Sequence, residues 1–176
     1  MSQVLMASEN VQFDFLLERI ARNLQLTPTQ FEDAEGKYKA VGNWLGADDS
    51  PVSFFNPLIY PQGSMSLRTT VKPRMQDEFD LDLVCLMQIG SNIHPDTVYG
   101  LVRDRLAAHG TYKDLLELKP RCLRLNYAGQ FHLDIIPAIP DKNRRGTGVL
   151  IPAPDLGAWK ESDPKAYITW FASKCE

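Results

Sequence analysis

The sequence predicts an α+β domain: a small mixed β-sheet with helices packed on one face. Three observations carry that reading. The first third of the chain holds two apolar stripes at helical spacing. The second half holds short apolar runs that alternate as strands do, with a helical segment between them. A glycine-centred turn, Ala128-Gly129-Gln130, joins two of those runs.

Phe13, Leu16, Leu17, Ile20 and Leu24 recur at the period of one helical face. A second helix opens at Thr27-Pro28-Thr29-Gln30. Thr27 suits the N-cap, Pro28 the first turn, and Gln30 the return bond of a capping box. Phe31, Ala34, Tyr38, Val41 and Leu45 form its stripe, and Gly46 ends it. A loop rich in Asp, Ser and Pro runs from Asp48 to Pro57. Phe79 to Met87 reads as a strand. Pro95 to Ala108 reads as a helix with Asp96 in its first turn and Gly110 beyond its end. Arg121 to Tyr127 and Phe131 to Ile136 read as a hairpin, with Gly129 at the position needing positive φ. Pro152 and Pro154 mark a loop. Asp163-Pro164 then caps and starts a last helix carrying Tyr167, Ile168, Trp170 and Phe171.

The 176 residues carry 44% hydrophobic and 23% charged residues and a net charge of −3. That balance gives no general pull toward nucleic acid or an acidic membrane, so neither sequence-specific nucleic-acid binding nor a membrane partner is expected. Basic clusters at Lys119 to Arg124 and Lys142 to Arg145 read as solvated faces. Three cysteines, Cys85, Cys122 and Cys175, share no zinc or disulfide spacing and point to a reducing, cytoplasmic compartment. No apolar run has membrane-spanning length and the N-terminus lacks a signal-peptide layout.

The chemistry concentrates in PQGSMSLRTTVKPRMQDEFDLDLVCLM, residues 61–87. On a strand, Asp80 and Asp82 share one face about 7 Å apart, while Phe79, Leu81, Leu83 and Cys85 face a core. Two neighbouring carboxylates repel unless a cation compensates them, and hard divalent cations prefer carboxylate oxygen. Alone, the triplet fits a solvated edge-strand face better than a metal site. A third acid changes the balance. In Phe131-His132-Leu133-Asp134-Ile135-Ile136 the same alternation turns Asp134 away from the core, where a neighbouring strand can carry it beside the first two. Three carboxylates on one sheet face suit two-metal catalysis, with ions about 3.5–4 Å apart. Upstream, Gly63 permits close backbone approach and Ser64 offers a hydroxyl and an N–H to a phosphate; a plain turn is the other reading. Ser66-Leu67-Arg68 opens a short helix whose N-terminus favours an anion.

Gly63-Ser64, Asp80-Leu81-Asp82 and Asp134 together resemble the active-site pattern of the DNA polymerase beta nucleotidyltransferase superfamily. Fifteen residues separate Ser64 from Asp80, a longer gap than many members carry. That gap and the wording YPQGSMSLRTTVKP, DEFDLDLVC and RLNYAGQFHLDIIPAIPD resemble its bacterial cGAS/DncV-like branch (CD-NTases), over roughly residues 10–171. The resemblance implies a polymerase-beta-like fold and synthesis of cyclic di- or trinucleotides in anti-phage (CBASS-type) defence. It implies that Asp80 and Asp82 hold two Mg²⁺ or Mn²⁺ ions and the donor triphosphate, and that Asp134 holds the ion activating the acceptor hydroxyl. Gly63 and Ser64 would cradle the β and γ phosphates, with Gln62 and Arg68 flanking them. Arg124 would neutralise Asp134 or a substrate phosphate. Nucleoside triphosphates are the implied substrates; a cyclic-nucleotide-responsive effector and CBASS regulatory proteins are the implied partners.

Other residues carry less. Asp77 and Glu78 read as a solvated start of the strand. His132 shares the face of Asp134 and reads as a structural hydrogen-bonding group. Trp44, Tyr60 and Trp159 read as packing. Two further functions stay open: nucleotidyl transfer to an RNA end, a protein or a small molecule, and nucleotide binding without turnover. The branch usually continues into a helical C-terminal lobe, so residues 1–176 read as a catalytic N-terminal part. Weak turnover, self-association and exposed Trp170 and Phe171 are expected of that part alone.

Overall fold

The computed structural model describes residues 2–72, 78–129, 131–144, 146–153 and 157–175, with residues 2–10 described by backbone alone. Asp77, Gln130, Arg145 and Pro154 lie outside the described residues.

Two helices, α1 (Ser2–Leu24) and α2 (Pro28–Leu45), come first. The capping box forms: Gln30 N–H donates to Thr27 Oγ1 at 3.2 Å, and Thr27 N–H donates to Gln30 Oε1 at 3.0 Å. Gly46 ends α2, but at φ −91° it is an ordinary cap and needs no left-handed backbone. Ala34, Val41 and Leu45 are buried, as their stripe requires, while Phe31 at its start is exposed. The α1 stripe behaves differently. Phe13, Leu16, Leu17, Ile20 and Leu24 are all exposed, Phe13 by 60%.

Among the described residues seven strands form the sheet. They are β1 (Leu58–Gln62), β2 (Phe79–Leu86), β3 (Leu116–Leu118), β4 (Leu123–Tyr127), β5 (Phe131–Pro140), β6 (Val149–Ala153) and β7 (Ala158–Ser162). Their order is β1-β2-β5-β4-β3, and β6 joins the far end of β5 and carries β7. Among the described strands β2 and β5 pair in parallel, and the other pairs are antiparallel. The intervening helices are α3 (Gly63–Leu67), α4 (Pro95–Ala107) and α5 (Tyr112–Leu115), and α6 (Pro164–Ala172) follows β7. None of the described helices is long and apolar enough to cross a membrane.

The alternation resolves into faces. Phe79, Leu81, Leu83 and Cys85 of β2 meet Leu123 and Leu125 of β4 and Phe131, Leu133 and Ile135 of β5 in one core. The α2 residues and Val98, Val102 and Leu106 of α4 cover that core, as the α+β reading requires. Arg105, 7% exposed, pins α4 to α2. Its guanidinium lies 3.5 Å over the Trp44 ring and donates to Asp49 Oδ1 at 2.8 Å, while Trp44 Nε1–H donates to the Arg105 carbonyl at 2.9 Å. A smaller cluster, Val84, Ala138 and Val149, sits on the opposite face.

Several elements differ from expectation for identifiable reasons. β1 was hidden by Pro61, which a sheet edge tolerates because the missing N–H can face outward. β6 lies where Pro152 marked a loop. Pro152 pairs only with Trp159 of β7, because β5 reaches no further along β6 than Leu150. The hairpin forms as expected, with Tyr127 opposite Phe131 and Gly129 at φ +73°, and β5 runs on through Pro140. Asp163 caps α6 by accepting the Ala166 N–H at 3.0 Å.

Candidate active site

Register assembles the site. Parallel pairing sets Asp82 of β2 opposite Asp134 of β5, and Asp80 opposite His132. On the other side of β5, Arg124 of β4 stands opposite Asp134. On the other side of β2, Gln62 of β1 stands opposite Asp82. Four strands thus carry Gln62, Asp82, Asp134 and Arg124 across one row. Since Leu81, Leu83 and Leu133 are buried in the core, alternation puts the acids on the opposite face.

The electrostatics are uneven. Arg124 binds Asp134 with a fork: Nε donates to Oδ1 at 2.7 Å and Nη2 to Oδ2 at 2.8 Å. The same Nη2 donates to Asp80 Oδ1 at 3.0 Å. The hydrogen bond to Asp134 and its charge raise the Arg124 pKa above its already high value. Asp134 is 8% exposed, so the fork supplies the pairing a buried carboxylate needs. Asp82 has no such partner among the described residues. Burial first, then the charges of Asp134 and Asp80, push its carboxyl up to about 6, and Arg124 offsets only part of that. Among the described residues no three metal-ligating side chains converge on one point as they stand. The donor chemistry still fits hard cations: three carboxylates share a face, and the most strained of them lacks a cationic partner.

The Gly-Ser turn abuts the acids. Gly63 begins α3 at φ +61°, and a Cβ built on it would collide with Asp82 Oδ2. Ser64 Oγ lies 2.9 Å from Thr70 Oγ1. α3 starts three residues earlier than Ser66, so Gly63 and Ser64 are themselves its N-terminal residues. Arg68 ends α3 with a left-handed φ of 57°, and it lines a cavity with Gln25, Leu26, Phe31, Met65 and Thr70.

Several participants carried little sequence signal. A cavity of about 450 Å³ lies between the turn and the start of α6, lined by Gln62, Gly63, Leu67, Asp163, Tyr167 and Ile168. On the α6 side the sequence marked a helix start at Asp163-Pro164 and the apolar residues Tyr167 and Ile168, with no sign of a cavity. Glu78 is not solvated: its side chain is largely buried, Oε1 accepts the Gly129 N–H at 2.7 Å, and Oε2 lies 2.9 Å from His132 Nδ1. Glu78 thus ties the hairpin turn to the start of β2, while His132 Nδ1, close to its carboxylate, makes no hydrogen bond there among the described residues. Tyr60 packs under Lys165, whose Nζ is 4.4 Å from its ring centre. One residue of each basic cluster is paired locally, Lys119 with Glu117 and Arg144 with Glu161. Burial pushes the Cys85 and Cys122 thiols up to about 12, with the charge of Asp134 contributing at Cys122, so neither is a thiolate nucleophile at neutral pH.

Residues 11–174 match the model of the Second Messenger Oligonucleotide or Dinucleotide Synthetase domain. The chain belongs to this family. A c-di-GMP synthase of Roseivirga ehrenbergii is 34% identical over 169 residues, covering 96% of this chain and 45% of that protein. The cyclic dinucleotide synthase CdnG of Bradyrhizobium diazoefficiens is 30% identical over 156 residues, covering 88% of this chain and 36% of that protein. The structure of that CD-NTase in complex with GTP matches with a TM-score of 0.73 at 27% identity, over 87% of this chain and 44% of that one. Escherichia coli DncV, in a 3'-deoxy GTP bound form, shares the fold with a TM-score of 0.68 at 17% identity, over 87% of this chain and 58% of that one. The chain thus belongs with the cGAS/DncV-like family and has the polymerase-beta-like fold, and it spans less than half the length of the curated relatives it matches.

Proposed function

We propose that this chain is the catalytic part of a cyclic dinucleotide synthase that joins nucleoside triphosphates through Asp80, Asp82 and Asp134. The observation that carries the reading is the strand register that sets Asp82 beside Asp134, with the Gly63-Ser64 turn packed against Asp82. The two relatives named above, a c-di-GMP synthase and a cyclic dinucleotide synthase, support the choice of product class.

Asp80 and Asp82 would hold two divalent cations, Mg²⁺ or Mn²⁺, with Asp134 sharing one. The ions supply charge neutralisation of the triphosphate and lower the pKa of the attacking hydroxyl. Gly63 and Ser64 hold the β and γ phosphates through N–H groups and the Ser64 hydroxyl, which exchanges Thr70 for a phosphate oxygen. Gln62, at the strand end before the turn, contributes a side-chain amide. The hydroxyl oxygen of one nucleotide forms a bond to the α-phosphorus of the other. The bond from that phosphorus to the bridging oxygen breaks, pyrophosphate leaves with its electron pair, and Asp134 takes the hydroxyl proton. A second attack within the linear product closes the ring. Residues 1–176 would supply positioning and charge, and the cyclic product would act on a nucleotide-responsive effector in anti-phage defence.

The test uses the longest chain the gene encodes, incubated with all four ribonucleotides and Mg²⁺ or Mn²⁺. We expect label that survives phosphatase and has the mass of a cyclic dinucleotide. An Asp80→Ala/Asp82→Ala variant loses it by about 10³-fold or more. Product that survives the double substitution refutes the site. Label found only on an added RNA, protein or small molecule replaces the cyclic product with an external acceptor.

A further inference from the structure

The proposed cations need oxygens that one side chain already holds. Arg124 Nε and Nη2 each donate to one oxygen of Asp134, at 2.7 and 2.8 Å, and Nη2 also donates to Asp80 Oδ1 at 3.0 Å. This is no loose surface pair. Arg124 and Asp134 are register partners on adjacent strands, and their side chains are only 21% and 12% exposed. A guanidinium has no lone pair to offer a metal; its positive charge against the same oxygens opposes a second cation there.

We propose that Arg124 is a competing internal cation, which must leave Asp134 and Asp80 before divalent cations bind there. The inference rests on the metal-binding reading of the three aspartates and adds a positioning role for Arg124. Three consequences follow. Cation affinity is set below what the acids alone would give. Asp134 cannot accept a proton from substrate while the fork is closed. The released guanidinium, tethered on β4 beside the acids, then faces whatever anion arrives with the metal, so cation and triphosphate binding reinforce each other.

The experiment titrates Mn²⁺ into the longest chain the gene encodes, without nucleotide, reading free Mn²⁺ by electron paramagnetic resonance. Arg124→Gln is expected to bind Mn²⁺ about tenfold tighter than wild type. Arg124→Lys keeps one cation but loses the fork, and falls between the two; it also serves if the glutamine variant folds poorly. Either folded variant binding no tighter than wild type overturns the proposal. An Asp80→Ala/Asp82→Ala control separates the two levels. If it binds Mn²⁺ as wild type does, the metal reading fails and takes this inference with it. If it does not bind, and Arg124→Gln is no tighter than wild type, only the competition is refuted.

Discussion

Asp82→Asn is expected to abolish nucleotide transfer while making the metal-free protein more stable above pH 6. The activity loss follows from removing a charge that two cations and a triphosphate need. The gain in stability follows from the cost of that charge. In the fold the Asp82 carboxyl titrates near 6, against an ordinary 3.8, because burial and the neighbouring acids disfavour ionisation. The folded chain therefore keeps a proton through a pH range where the unfolded chain has already lost it. Stability from this group is present below about pH 4, falls as pH rises through the interval to 6, and stays low above it. Asparagine carries no charge at any pH. Its advantage over wild type is thus absent near pH 4 and full above 6. A two-unit shift caps the effect near ~3 kcal/mol; solvent at a half-buried site reduces it to about 1–2 kcal/mol, a rise in Tm on the order of 2–8 °C for a domain this size. Calorimetry in EDTA at pH 4.5 and 8 measures it. A variant less stable than wild type at pH 8, or a difference unchanged between the two pH values, contradicts the electrostatic account.

Gly63→Ala is expected to cost about 10²-fold or more in transfer rate with the fold retained. Two effects combine at Gly63. An L side chain at φ +61° costs roughly 1–2 kcal/mol. The new Cβ also strikes Asp82 Oδ2, so either the phosphate turn or a metal-binding carboxylate must move, and a 1 Å misplacement in an active site is worth about 10²-fold. Gly129→Ala separates the two effects. Its φ is +73°, but a Cβ there meets nothing within 4 Å. It should lose a comparable stability and keep its rate. Wild-type transfer by Gly63→Ala, with circular dichroism showing a native fold, would remove the close approach from the mechanism.

The side-chain period of a strand was enough to read which way Asp80, Asp82 and Asp134 point, because Leu81, Leu83, Leu133 and Ile135 flank them with apolar groups that need a core. Pairing was not readable. β2 and β5 are separated by two helices and two strands, and nothing local states that they run parallel with Asp82 opposite Asp134. Arg124 was legible as a candidate, but its fork across two acids depends on that same register. Pro61 and Pro152 hid two strands, since proline speaks against a strand interior and both sit where a ladder N–H is not required. Gly63 was legible as a close approach, yet its partner, Asp82, was a tertiary fact. The apolar face of α1 shows the opposite limit: periodicity predicts the helix, and burial depends on what packs there, which leaves Phe13 and Leu16 exposed.

The most direct test of the central claim is anomalous diffraction at the manganese edge, on crystals of the longest chain the gene encodes grown with Mn²⁺ and a non-hydrolysable nucleoside triphosphate. The account predicts two peaks about 3.5–4 Å apart at Asp80 and Asp82, Asp134 on one of them and free of Arg124, and the triphosphate against Gly63 and Ser64. No manganese at these aspartates, with the triphosphate bound elsewhere on the chain, would contradict it.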